Sequence, residues 1–233
     1  MIDLGRRDGR MLRVGHRGAG ALAPENTIAS LALAIELDCD LVEFDVLELD
    51  GVLVLAHSQS ELPTRLAAFD EALAFLGPGR CGIQVDLKAR GAEEAVVDAL
   101  RKHDLVQRTV VSSFRATSLR TLHALEPELR LGLTYPEDRY GVSRRRALTP
   151  FIGPALRAMR AALPRRIAWM LHAAEASAAM LHWQVVSKPV VDRCHAAGAA
   201  VLAWTVPSRD EVRVLEELGV DGVITDDPRI LGG

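Results

Sequence analysis

Short β-type runs alternate with helical stretches along the 233 residues, and this predicts an α/β fold: a single (β/α)8 (TIM) barrel with an extra hairpin strand after strand 2. Three observations carry the prediction. Eight apolar runs are separated by helical patterns, as parallel βαβ units require. The length suits one such barrel, and no internal repeat or low-complexity linker interrupts it. His16, Glu43, Asp45, Asp86, Lys88, Tyr135 and Trp204 fall at or near the C-terminal ends of these runs, where barrels of this kind build their sites.

The elements follow in order. Residues 1–10 are polar and rich in Arg and Gly, a flexible start ahead of one domain spanning 11–233. LRVGH, ending at His16, is the first strand. Pro24 and Glu25 suit the first turn of a helix through TIASLALAIEL, with Ala29, Leu33 and Leu37 spaced for one packed face. LVEFDV is the second strand, and Asp50-Gly51 is a hairpin signal. LVLAH then returns beside it and brings His57 toward the carboxylates. A helix over about 66–76 stops at GPG. CGIQVDLK is the next strand, followed by a helix over Glu93–His103, the strand TVVSSF, the helix ATSLRTLHAL and the strand LRLGLTY. Residues 136–150 read as a basic loop and roughly 154–163 as a helix. The strand AAMLHW, the helix SKPVVDRCHAAG, the strand AVLAWTV, the helix SRDEVRVLEELG and the strand DGVITD complete the chain.

Composition narrows the function. The net charge is −3 and aromatic residues are few, which argues against nucleic-acid partners. Cys39, Cys81 and Cys194 are far apart with no zinc spacing, so free thiols are expected. No signal-like run and no stretch of ~20 apolar residues occurs, so no stable membrane insertion and a cytoplasmic location are expected. Oligomeric state leaves no mark in the sequence.

The stretch Val14–Ser58 concentrates the chemistry. Glu43 and Asp45 alternate with Val42, Phe44 and Val46, so on a strand both carboxylates share one face. Adjacent carboxylates repel unless a cation or a shared proton neutralises them, and a hard divalent metal is the natural partner. Asp86, two residues from Lys88 on the next strand, is a third candidate ligand. His16 and His57 suit acid–base work near neutrality. Arg17 and Lys88 suit an anionic, phosphate-like substrate. Asn26 either orients a site group or caps the helix.

HRG, APENT, E-F-D, D-G and a histidine closing an apolar run, in that order, resemble the glycerophosphodiester phosphodiesterase family. The resemblance runs from about residue 12 to 230 and is weakest across 136–175. It implies a TIM barrel that hydrolyses glycerophosphodiesters to glycerol 3-phosphate and an alcohol, through attack of the substrate's own glycerol hydroxyl and a cyclic phosphate. It implies Glu43, Asp45 and Asp86 as ligands of Mg²⁺ or Ca²⁺, His16 and His57 as the catalytic pair, and Arg17, Lys88 and Trp204 as substrate contacts.

Three departures qualify this. The third ligand sits in DLK where the family usually has ExK, a side chain one methylene shorter. Ser58 stands where the family commonly has Asp, so either catalysis is weaker or the duty passes to water or to another acid such as Glu61. Only SQSE separates His57 from Leu62, where the usual family chain inserts a small cap over the glycerol end. An uncapped mouth would admit bulkier substrates, so phospholipase D-like activity on lysophospholipids is the alternative, with a catalytically weak phosphoester-binding barrel as a further one. Arg139, Arg144, Arg145 and Arg146, followed by Phe151 and Ile152, are expected to flank the site and receive an anionic or lipid-bearing substrate.

Overall fold

The computed structural model describes residues 1–59, 62, 66–137 and 149–232, with Thr149 described in its backbone alone. Among these residues nine strands form one sheet: β1 (Leu12–Gly15), β2 (Leu41–Leu49), β3 (Val52–Leu55), β4 (Gly82–Leu87), β5 (Thr109–Ser113), β6 (Arg130–Tyr135), β7 (Ala178–His182), β8 (Ala200–Trp204) and β9 (Gly222–Thr225). Eight are parallel and close on themselves, because β1 pairs with both β9 and β2. β3 lies antiparallel on β2 outside the closed barrel. The predicted TIM barrel with a hairpin strand after strand 2 is the observed fold. The hairpin turns at Asp50 and Gly51, both at positive φ, as a type I′ turn requires.

Two apolar layers hold the barrel together. Its interior is filled by Leu12, Val14, Leu41, Val110, Ala178, Met180, Leu202 and Ile224. Gly132 on β6 makes room there, since a Cβ would lie 2.6 Å from the Met180 side chain. The second layer lies between barrel and helices: α1 (Ile28–Glu36), α2 (Phe69–Leu76), α3 (Glu93–Lys102), α4 (Ala116–Leu125), α5 (Thr149–Ala162), α6 (Ile167–Ala173), α7 (Lys188–Ala196) and α8 (Arg209–Leu218). No helix of the described residues is long and apolar enough to cross a membrane.

Four expectations are refined. Residues 1–10, expected as a flexible start, are docked. Ile2 and Leu4 are buried against the barrel interior, Arg6 donates to the carbonyls of Val220 and Glu216, and Arg10 forks onto Asp40. Two apolar residues among polar ones form no periodic pattern, so the plug was invisible in sequence. α1 begins at Ile28, later than Pro24, because Thr27 is the N-cap in a capping box with Ser30 and Asn26 sits at φ 57°. α5 begins earlier than residue 154. α6 was unforeseen, because Pro164-Arg165-Arg166 reads as a breaker and only Ile167 and Leu171 are buried along it. Glu61 and the arginines at 139 and 144–146 lie outside the described residues.

Candidate active site

Register brings the acids together. β2 pairs with β4 so that Asp45 faces Asp86 and Glu43 faces Gln84. Because side chains alternate, Glu43, Asp45 and Asp86 all project inward at the C-terminal end of the barrel. All three are buried, and one ligand oxygen from each lies within 4.8 Å of the others. Ser112, paired with Asp86 across β4–β5, donates to Asp86 Oδ1 at 2.8 Å, and Thr134 donates to the same atom at 3.4 Å. The DLK aspartate is therefore held from two further strands despite its shorter reach.

The charges in the cluster are only partly balanced by its own side chains. Burial pushes Glu43 up to about 7; His16 pulls it down, while Asp45 and Asp86 push it further up. Burial opposes charge on Asp45, yet Lys88, the His57 hydrogen bond and Arg17 hold it well below the usual carboxylate range. Burial likewise opposes charge on Lys88, and Asp45 and Asp86 outweigh it and raise its pKa. Lys88 Nζ pairs with Asp86 and stands 2.9 Å from Asp45 Oδ1. That oxygen is nevertheless buried without a hydrogen bond of good geometry. Three hard oxygen donors, one with an unfilled lone pair and one carboxylate driven toward neutrality, fit a divalent cation such as Mg²⁺ or Ca²⁺.

The two histidines are anchored alike, through Nδ1. His16 Nδ1 lies 2.6 Å from Asp226 Oδ1, and its Nε2 lies 3.9 Å from Glu43. Burial opposes a charge on His16, but Glu43 and Asp226 outweigh it and raise its pKa. His57 Nδ1 lies 3.1 Å from Asp45 and 3.0 Å from Arg17 Nη2. The short strand β3 delivers this histidine, its end tied back by the Ala56 N–H on the Asp45 carbonyl.

Arg17 is the hub between them. Its backbone N–H donates to Glu43 at 2.8 Å, and its guanidinium meets Asp45, Glu25 and His57. The chain reaches this geometry through a tight turn, with Arg17 at φ 49° and Gly18 at φ 80°. A Cβ on Gly18 would fall 2.4 Å from the backbone of Ser30, so only glycine fits. Asn26 orients rather than caps: it donates to Asp45 Oδ2 at 3.1 Å and accepts from the Asp45 N–H at 3.0 Å.

The far wall is aromatic. Trp204 donates to the Met180 carbonyl and meets Phe114 and His182 edge to face. Lys88 Nζ lies 5.4 Å from the Phe114 ring centre, a cation–π contact. All eight candidates, His16, Arg17, Glu43, Asp45, His57, Asp86, Lys88 and Trp204, thus belong to one mouth of the barrel. His103 and His195 pair instead with Asp70 and Asp221.

A sequence profile of the glycerophosphoryl diester phosphodiesterase family matches residues 16–65 and 83–230. The chain belongs to this family. Its enzyme class is that of the phosphoric diester hydrolases. A glycerophosphodiester phosphodiesterase of Caldanaerobacter subterraneus subsp. tengcongensis is 26% identical, the alignment covering 95% of this chain and 96% of that one. A lysophospholipase D of Mus musculus is 23% identical over 93% of this chain and 79% of its own. Among solved structures, a phosphodiesterase of Oleispira antarctica in complex with the product sn-glycerol-3-phosphate superposes with a TM-score of 0.71 at 25% identity, covering 94% of each chain. The glycerophosphodiester phosphodiesterase of Thermotoga maritima gives 0.70 at 20% identity, covering 93% of this chain and 95% of that one.

Sequence reasoning missed several members of this phosphodiesterase-family site. Asp226 is the chief one, since DGVITDDP read as strand end and turn. Its signal was position: Asp226 directly follows β9, which lies beside β1 in the barrel. Ser112, Phe114 and Thr134 lie within the predicted strands TVVSSF and LRLGLTY, whose sequence alone singles out none of them.

Proposed function

We propose that this chain hydrolyses glycerophosphodiesters to glycerol 3-phosphate and an alcohol by metal-assisted, histidine-mediated acid–base catalysis. The observation that carries the reading is the convergence of three buried carboxylates within 4.8 Å between two histidines that are both held by Nδ1. Glu43, Asp45 and Asp86 would hold Mg²⁺ or Ca²⁺; a bound divalent cation supplies Lewis-acid polarisation of a phosphoryl oxygen. Arg17 and Lys88 hold the phosphate's negative charge and steady its increase in the transition state. With Nδ1 of each ring engaged, Nε2 of His16 and of His57 serves the substrate: one accepts the attacking glycerol hydroxyl's proton and the other protonates the leaving alcohol oxygen, and water then opens the cyclic phosphate to glycerol 3-phosphate with the two roles exchanged. Asp226 fixes His16 as the Nδ1–H tautomer, which leaves Nε2 as a lone-pair acceptor when the ring is neutral. Trp204 and Phe114 form an apolar wall against which the substrate carbon skeleton packs. We take residues 11–233 as the functional domain and the cytoplasm as its place of action.

A second reading, lysophospholipase D-type cleavage, is favoured by one observation: SQSE alone separates His57 from Leu62, too few residues for a cap insertion there. One experiment decides between them. The protein is incubated with Mg²⁺, Ca²⁺ or chelator and, separately, with glycerophosphocholine, glycerophosphoethanolamine and lysophosphatidylcholine. Metal-dependent glycerol 3-phosphate release from the first two is expected. Choline release from the lyso-lipid alone establishes the second reading, and no turnover with any metal reduces the barrel to a phosphoester binder.

A further inference from the structure

Between β6 and β7 the chain makes a long excursion through α5, the turn at 163–165 and α6. From residue 149 to 174 the sequence holds Arg157, Arg160, Arg165 and Arg166 but no Asp or Glu, in a chain of net charge −3. None of the four arginines makes an ion pair among the described residues, and all are exposed. α5 is fourteen residues long, yet of its described side chains only Ile152 and Leu156 are even partly covered. Phe151 and Met159 are 66% and 36% exposed, and Trp169 on α6 is 68% exposed. At 100° per residue, Phe151, Ile152, Ala155, Leu156 and Met159 share an arc of roughly 140°, with Arg157 and Arg160 outside it. One edge of that arc, Ile152 and Leu156, packs inward, while Phe151 at the other edge and Met159 in the middle meet solvent. α5 rests on the turn 183–185, which leaves the C-terminal end of β7 beside His182 and Trp204. The helix therefore stands at the rim of the catalytic mouth.

We propose that α5 and α6 form a docking surface for an anionic phospholipid bilayer, seating the barrel mouth at the lipid–water interface. Charge complementarity selects this occupant. An amphipathic helix with an open apolar edge, only basic charges and a neighbouring exposed tryptophan has the composition of an interfacial helix. Arg157 and Arg160, on the exposed side of α5 beyond the apolar arc, meet lipid phosphates, while Phe151, Met159 and Trp169 bury apolar surface among the headgroups. Docking itself is independent of the catalytic reading; its consequence, favoured access to lipid-borne phosphodiesters, rests on that reading.

The test is co-sedimentation of the whole protein with vesicles of phosphatidylcholine alone and of phosphatidylcholine mixed with phosphatidylglycerol. Binding to the mixed vesicles, little binding to the neutral ones and a decline with added NaCl are expected. Arg157→Gln with Arg160→Gln should cut partitioning about 25-fold, near fivefold for each arginine. Met159→Ser with Trp169→Ser should reduce it comparably. Both pairs should leave thermal unfolding and turnover of soluble glycerophosphocholine unchanged. Absence of binding at low salt, equal binding to neutral vesicles, or variants that bind like the parent would overturn the proposal. So would a concentration-dependent dimer, seen by ultracentrifugation without lipid and dissolved by Phe151→Ser, which assigns the face to a second copy. A protein that binds vesicles yet turns over no substrate refutes the catalytic reading and leaves the docking surface standing.

Discussion

At the scale of single residues, the site works through carboxylates that hold other side chains in place. Asp226 touches no metal candidate, yet its 2.6 Å contact with His16 decides which ring nitrogen faces the substrate. Asp226→Asn keeps the shape but presents an amide in place of the acceptor pair. Turnover is expected to fall about 10- to 100-fold with KM for glycerophosphocholine little changed, and Asp226→Glu should recover part of it. A matching rise in KM, or no rescue by Glu, would argue for a merely structural role. Asp86 gives a second prediction. Asp86→Asn removes one of three carboxylate charges and one of the two partners of Lys88, so affinity for Ca²⁺ or Mg²⁺ by calorimetry should drop at least tenfold, about 1.4 kcal/mol; an unchanged affinity would remove Asp86 from the ligand set. These two residues mark what was legible. Asp86 was readable because it shares a face with Lys88 on one strand. Asp226 was not, because the residue it serves lies 210 positions away and only barrel closure brings β9 beside β1.

At the scale of elements, strands were readable and their junctions were not. Short apolar runs located β2, β4 and β6 because barrel strands are buried on both faces and bounded by turn residues. The start of α1 escaped because Pro24 and Glu25 suit a helix start by composition, while the actual boundary is set by Arg17, Gly18 and Asn26 at positive φ. That turn carries function: it aims the Arg17 N–H at Glu43 and puts Asn26 against Asp45. Gly18→Ala tests the link between local geometry and site. The new Cβ would lie 2.4 Å from the Ser30 backbone, and the left-handed conformation adds strain of order 1–3 kcal/mol. Urea unfolding should show a loss of at least that size, because the neighbour is backbone and cannot rotate away. Turnover in the fraction that still folds should also fall, since α1 must move to admit the methyl. Wild-type stability in Gly18→Ala would mean that the turn is looser than its geometry indicates.

At the scale of the molecule, the barrel has two ends with different tasks. The C-terminal mouth gathers the titrating side chains. The N-terminal end is closed by residues 1–10, whose apolar Ile2 and Leu4 plug the interior and whose Arg7 and Arg10 converge on Asp40. Nothing in the sequence joined Arg7, Arg10 and Arg13 to Asp40; the junction exists only because the start of the chain folds under the barrel. Asp40 accepts from Arg10 twice, from the Arg13 backbone N–H at 2.8 Å and from Arg7 at 3.3 Å. Burial raises its pKa, but the Arg10 hydrogen bond and the Arg13 N–H outweigh it, so the folded-state value lies below the ordinary one. A carboxylate with a depressed folded pKa gives its stabilisation above the unfolded pKa, near 4, and loses it as pH falls through the folded value. Asp40→Asn should therefore cost about 1–3 kcal/mol at neutral pH. Most of that comes from the partly buried Arg13 amide contact and the two-point Arg10 fork, because the single 3.3 Å contact of Arg7 contributes little. The difference between wild type and Asp40→Asn should stay constant from about pH 8 to pH 5 and shrink steadily below about pH 4. Taking that difference cancels the carboxylates at the distant mouth, whose titration both proteins share. Urea denaturation across this range reads it directly. A gap that persists undiminished at pH 3 would show that Asp40 acts through packing and not through its charge.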